Sequence, residues 1–163
     1  MKGSDEEQKT TELTEADVLA PDEIKRLLDN SEDGFYRTLF MTAALTGARH
    51  DELLALQWGD IDLEAGKVWI RRNLSWAKVR GNDEKTKSRF YPPKTKSGNR
   101  NLPIASELVS ALKKWKLQCP PSDHDLVFPS LSGQPGHRSN VLRFGLFPAL
   151  SRAKLRRVNM HSL

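Results

Sequence analysis

The sequence predicts an α+β domain, mainly helical, with a small three-stranded antiparallel sheet. Two observations carry that reading. Apolar residues recur at helical spacing up to about Leu56, give way to short β-favouring runs between Val68 and Ile104, and return to helical spacing from Ser106 onward. The length of 163 residues, 37% hydrophobic and 29% charged, also suits one globular domain with a real core.

Residues 1–18 are polar, acid-rich and aperiodic, and read as a flexible lead-in, so the folded domain is expected over 19–163. The first helix starts at Pro21-Asp22-Glu23, with proline at the first helical position and acids at the positive end of the dipole. Ile24, Leu27 and Leu28 form its apolar stripe, which ends near Asn30. A second helix is expected over Phe35–Thr46, with Leu39, Phe40, Ala43 and Ala44 inward and Gly47 as its stop. A short third covers Glu52–Leu56. Asp62 to Lys67 has the composition of a turn, and Val68-Trp69-Ile70, Ser88–Pro92 and Asn101–Ile104 are the expected strands. Ser106–Gln118 is a helix with Leu108, Leu112 and Trp115 on one face, broken by Pro120-Pro121. Leu126-Val127-Phe128 is a short apolar insertion, Ser130–Gly136 a turn-rich loop and Arg138–Lys154 the last helix.

The net charge of +5 conceals an asymmetry. Residues 1–35 carry 4 basic and 11 acidic side chains, whereas residues 36–163 carry 22 and 10. Lys67 to Asn101 alone holds 11 basic residues against Asp83 and Glu84. Charge of this density attracts nucleic acid, because neutralising phosphates releases condensed counterions. By itself it serves a solvated basic face equally well.

Several classes are disfavoured. No apolar stretch approaches the ~20 residues of a membrane span. The opening Met-Lys-Gly-Ser-Asp-Glu-Glu lacks the apolar core of a secretory signal, and the single Cys119 suits a reducing compartment, so a cytoplasmic location is expected. Cys119, Asp123, His124 and Asp125 are metal-type ligands without a second cluster at zinc spacing. There is no P-loop and no glycine-rich dinucleotide turn, hence no sign of a small-molecule substrate.

The chemistry concentrates in three boxes. The first is Thr46-Gly47-Ala48-Arg49-His50-Asp51-Glu52-Leu53-Leu54-Ala55-Leu56-Gln57-Trp58-Gly59-Asp60-Ile61-Asp62. A helix stops at glycine, an arginine follows, and Glu52 lies three residues on, where it shares a helical face with Arg49 and is expected to brace its guanidinium. An arginine so held is a good phosphate clamp; an ordinary surface Arg–Glu pair is the plainer reading. The second box is Pro92-Pro93-Lys94-Thr95-Lys96-Ser97-Gly98-Asn99-Arg100-Asn101-Leu102-Pro103-Ile104, a basic hairpin built from common turn residues. The third is Asn159-Met160-His161-Ser162-Leu163.

Together these strings resemble the tyrosine recombinases, the phage-integrase family. The first box meets every fixed position of T-G-x-R-x-x-E-L-x-x-L-x-W-x-D-I-D. The second is similar to P-K-T-x-x-S-x-R-x-x-P with its serine and arginine displaced, which leaves the catalytic lysine open between Lys94, which holds the Pro-Lys-Thr position, and Lys96. The third resembles the opening of H-x-L-R-H. The resemblance implies that Arg49, Lys94 and His161 are catalytic, that Glu52 supports them, and that Lys96, Arg100, Lys87 and Arg89 contact DNA. It implies duplex DNA as partner, tetramers acting on two DNA sites, and no metal or other cofactor. It also implies a partial catalytic domain: the second arginine and the nucleophilic tyrosine of the family pattern lie beyond Leu163, and neither Tyr36 nor Tyr91 sits in a matching motif. The parent would cleave and rejoin DNA through a 3′-phosphotyrosyl link, and this 163-residue chain is expected to be inactive alone. The alternatives are a noncatalytic DNA-binding module or remnant, and a general basic nucleic-acid binder, against which the first box argues.

Overall fold

The computed structural model describes residues 17–78, 86–93 and 96–163. The expected lead-in as far as residue 16 lies outside them, as does Lys94. Helix α1 (Pro21–Asp29) begins at the proline, and Glu23 reaches back to accept the Ala20 N–H at 2.8 Å. Helix α2 (Phe35–Thr46) ends at Gly47, whose φ of 65° is left-handed and whose N–H donates to Ala43 O at 3.0 Å. Helix α3 spans His50–Leu54, starting and stopping two residues before the leucine spacing indicates. Its start is fixed by a side-chain cap and not by apolar periodicity.

The sheet departs from the sequence expectation. Its three antiparallel strands are β1 (Ile61–Asp62), β2 (Lys67–Ile70) and β5 (Arg100–Pro103), in the order β1-β2-β5. Asp62 is therefore in a strand, and the turn is made at Gly66, with φ 64°. Ser88–Pro92 is not the third strand. Most of it belongs to β4 (Thr86–Tyr91), which pairs with β3 (Asn73–Lys78) in a separate ribbon with Leu74 opposite Phe90 and Trp76 opposite Ser88. The chain leaves the first sheet after Ile70, where Arg71 and Arg72 both turn to the buried carboxylate of Asp60, Arg71 Nε at 2.8 Å from Oδ1 and Arg72 Nη1 on Oδ2. That diversion separates the next strand from β2.

Helix α4 (Ser106–Gln118) buries Leu108, Leu112 and Trp115 as its spacing predicts. The insertion Leu126–Phe128 is fully buried; Val127 N–H donates to Leu56 O at 2.9 Å, and Trp115 Nε1 donates to Val127 O at 2.6 Å. The last helical rod runs through α5 (Arg138–Asn140), a wide π-helical stretch (Val141–Leu146) and α6 (Phe147–Arg152). Pro148 lacks the N–H that a regular helix needs, which favours the wide turn before it. Gly145 brings that turn against α2, because a Cβ there would lie 2.3 Å from the Tyr36 ring. Leu27, Leu39, Phe40, Leu53, Leu54, Leu108, Leu112, Phe128 and Leu146 form the centre of one core. Full burial of each contributes roughly 1.5–3 kcal/mol. Among the described residues, no helix is long and apolar enough to cross a membrane.

Candidate active site

Arg49 is the N-cap of α3, in extended conformation, with its side chain exposed. Glu52 is only 5% exposed, and its Oε2 accepts the backbone N–H of Arg49 at 2.7 Å. The expected brace on the Arg49 guanidinium is therefore corrected. A glutamate at the third helical position reaches back to the N-cap backbone, and its carboxylate faces inward. The guanidinium that pairs with it comes from β5: Arg100 Nη1 donates to Oε1 at 3.1 Å and Nη2 to Oε2 at 3.0 Å. Glu52 thus ties the cap below Arg49 to the base of the basic hairpin, and Arg100 is spent on this pair. Among the described residues, the Arg49 guanidinium has neither a hydrogen bond nor an ion pair.

A Cβ on Gly98 would meet Pro93 Cβ at 2.4 Å, so Pro92-Pro93 and the turn Lys96–Gly98 lie against each other. Lys96 is exposed on that turn. In the neighbouring ribbon Lys87 and Arg89 are exposed, opposite Ala77 and Ser75, so they share its solvent face. The other face turns inward: Trp76 stacks on His137 with centroids 3.8 Å apart, and Phe90 meets His124 edge-on at 5.0 Å.

His161 is exposed on the turn Met160–Ser162, which is held by buried Met160 and Ser162 and by a 2.8 Å hydrogen bond from Leu19 N–H to Ser162 O. Its Nε2 lies 3.3 Å from Nη2 of Arg138, the first residue of α5. Beside Arg49 in the first box sits His50. It is 1% exposed, and neither ring nitrogen has a hydrogen-bond partner. Burial, then the Arg138 cation, then His161, lower its pKa to about 4, so it is neutral. His50 follows Arg49 directly and feels both Arg138 and His161, which brings the first and third boxes into one site. Its position inside the first box was the only signal for it; nothing in the sequence pointed to Arg138.

Two clefts flank this region. One of about 760 Å³ is lined by Phe35, Tyr36, Trp76, His137 and Phe144 among others, and includes none of Arg49, Lys96 or His161. A smaller one of about 250 Å³ lies beside His161, with Arg156, Arg157 and Asn159 in its wall. The arrangement offers cations on an open surface, backed by buried neutral and ion-paired groups. Such a surface suits an extended polyanion better than an enclosed small molecule.

The mixed fold, with its helices and small antiparallel sheets, is that of solved tyrosine recombinases. Over 89% of this chain and 46% of that one it superposes on the XerA recombinase crystal structure with a TM-score of 0.66 at 24% identity. It matches the Tn1549 transposon integrase solved with circular intermediate DNA at a TM-score of 0.72 and 17% identity, over 93% and 52% of the two chains. Residues 17–163 match the model of the phage integrase family, and the chain belongs to that family. Curated relatives include the prophage integrase IntR of Escherichia coli (strain K12), 38% identical over 98 residues, covering 60% of this chain and 21% of the relative. Another is a XerC-like tyrosine recombinase of Caldanaerobacter subterraneus subsp. tengcongensis, 34% identical over 106 residues and covering 63% and 27%. The chain thus spans about a quarter of these curated relatives and about half of the solved chains.

Proposed function

We propose that this chain is part of the catalytic domain of a site-specific DNA recombinase that works in the cytoplasm on duplex DNA, as tetramers on two DNA sites. The placing of Arg138 and His161 beside buried His50, the residue that follows Arg49, within this family's fold, carries the reading. Attack on a phosphodiester builds charge on its nonbridging oxygens, and preorganised donors lower that barrier. Arg49 clamps one such oxygen and His161 donates to it, each donor contributing about 3–4 kcal/mol by analogy with other oxyanion sites. Lys94, or Lys96 in its place, delivers a proton to the leaving 5′ oxygen as the P–O bond breaks. The nucleophile is the tyrosine that the family pattern places after the His161 box; its oxygen forms the new bond to phosphorus and leaves a 3′-phosphotyrosyl link. Lys87, Arg89 and Lys96 follow the backbone on either side. Arg100 holds the hairpin through Glu52 and meets DNA only with the donors that pair leaves free.

The test begins with duplex binding by Met1–Leu163 titrated against salt. Binding at low salt that weakens steeply as salt rises supports the reading, with Arg49→Gln weakening it further. The chain is then fused at Leu163 to the remaining catalytic segment of a family relative that bears the box arginine and tyrosine. On a nicked suicide duplex the fusion is expected to form a covalent adduct that needs Arg49, and the unfused chain none. Absence of any binding at low salt overturns the proposal.

A further inference from the structure

Arg138 belongs to none of the sequence boxes, yet it is built into the site. It opens α5 directly after His137, and the His137 ring is stacked on Trp76 of β3 at 3.8 Å with an interplanar angle of 18°. The start of the helix, and with it Arg138, is therefore anchored to the ribbon that carries Lys87 and Arg89. Its guanidinium lies 3.3 Å from His161 Nε2. Among the described residues, no carboxylate comes within ion-pair range of Arg138, Arg49 or His161. Arg71, Arg72 and Arg100, by contrast, are each paired with a buried carboxylate.

A second observation points the same way. His50, 1% exposed and within electrostatic reach of Arg138 and His161, has two ring nitrogens with no partner. A carboxylate at that position would neutralise Arg138; a neutral imidazole leaves it its charge and offers one acceptor nitrogen and one N–H. An exposed guanidinium with no carboxylate partner, set beside a second nitrogen donor or acceptor, is free to take a phosphate oxygen in a charge-assisted hydrogen bond.

We propose that Arg138 is a phosphate-binding residue of this site, sharing one DNA backbone phosphate with His161 and set in place by the Trp76–His137 stack. The inference rests on the DNA-processing reading above and adds to it a cation that the family boxes do not supply.

The experiment measures duplex DNA affinity of the full chain as a function of salt for the unaltered protein, Arg138→Gln, Arg138→Lys, His161→Asn and the Arg138→Gln/His161→Asn pair. Arg138→Gln is expected to weaken binding about tenfold at low salt and to reduce the salt slope by about one. Arg138→Lys should restore the slope. Because both groups serve one phosphate, the double variant should lose less than the sum of the singles. Retained folding is read from the His50 ring by NMR, which in Arg138→Gln titrates above its value of about 4 because a neighbouring cation has gone, but stays below the ordinary histidine range because it remains buried. An unchanged slope in Arg138→Gln, or strict additivity in the pair, overturns the inference. If Arg49→Gln weakens binding while Arg138→Gln does not, this inference falls alone; if the unaltered chain binds no duplex, the functional reading falls with it.

Discussion

Two sets of arginines are used in opposite ways. Around α3 and the first sheet, Arg71, Arg72 and Arg100 are committed to the buried carboxylates Asp60 and Glu52. Arg49 and Arg138, by contrast, have no carboxylate partner among the described residues, and the buried group beside Arg138 is the neutral imidazole of His50. The first set builds the scaffold, because a buried carboxylate must be paired to be tolerated. The second set stays charged and open, which is the state an anion-binding surface needs before its ligand arrives. Sequence spacing does not separate the two uses, since Arg49 and Arg100 both lie in family boxes. What separates them is which one the buried carboxylate reaches.

The largest effect should come from removing a scaffold carboxylate. Glu52→Ala leaves Arg100 unpaired at the edge of the core and the Arg49 N–H without its cap, at a cost of about 3 kcal/mol in urea unfolding. Glu52→Gln keeps the cap and one hydrogen bond to Arg100, and should cost less. If Glu52→Ala unfolds with the midpoint of the unaltered chain, Glu52 has no scaffold role.

Much of this was legible in the sequence. Helices α2 and α4 follow from apolar spacing with their stops at Gly47 and before Pro120-Pro121. The three boxes picked out Arg49, Glu52 and His161. The sheet was less legible. Leu74 and Trp76 alternate with Ser75 and Ala77 as a strand should, but they follow Arg71-Arg72-Asn73, and that polar run reads as a loop until Asp60 is seen to bury both arginines. The partner of Glu52 was hidden for a related reason. Arg49, three residues away, is the near choice in sequence, whereas Arg100, 48 residues away, arrives only when β5 joins β2. Arg138 lies in no motif, and only the Trp76–His137 stack and the proximity of His161 reveal it.

A second, intermediate effect concerns the buried neutral group beside Arg138. His50 titrates near 4 in the folded chain and near 6.5 when exposed, so the unfolded state binds the extra proton first as pH falls. Its contribution is complete above about pH 6.5 and is lost as pH drops towards 4, a difference of roughly 3 kcal/mol across that window. His50→Leu should flatten the stability profile over the same range, measured by urea unfolding at steps of pH. A profile of equal slope in both proteins would place the acid sensitivity elsewhere.

The smallest effect on stability, and the sharpest contrast, belongs to Arg49. Its backbone N–H is capped by Glu52 whatever its side chain is, and its exposed guanidinium makes no bond among the described residues. Arg49→Gln should therefore unfold within about 0.5 kcal/mol of the unaltered chain, as the loss of an exposed side chain that makes no bond does. Arg100→Gln, the same chemical change, removes a bidentate pair to a carboxylate that is only 5% exposed, and should cost several times more. Affinity for duplex DNA should rank the two in reverse when the comparison is made at a temperature where both are folded, with Arg49→Gln the more damaging. If the stability order is reversed, the Arg49 guanidinium is part of the scaffold, and the division between paired and open arginines does not hold.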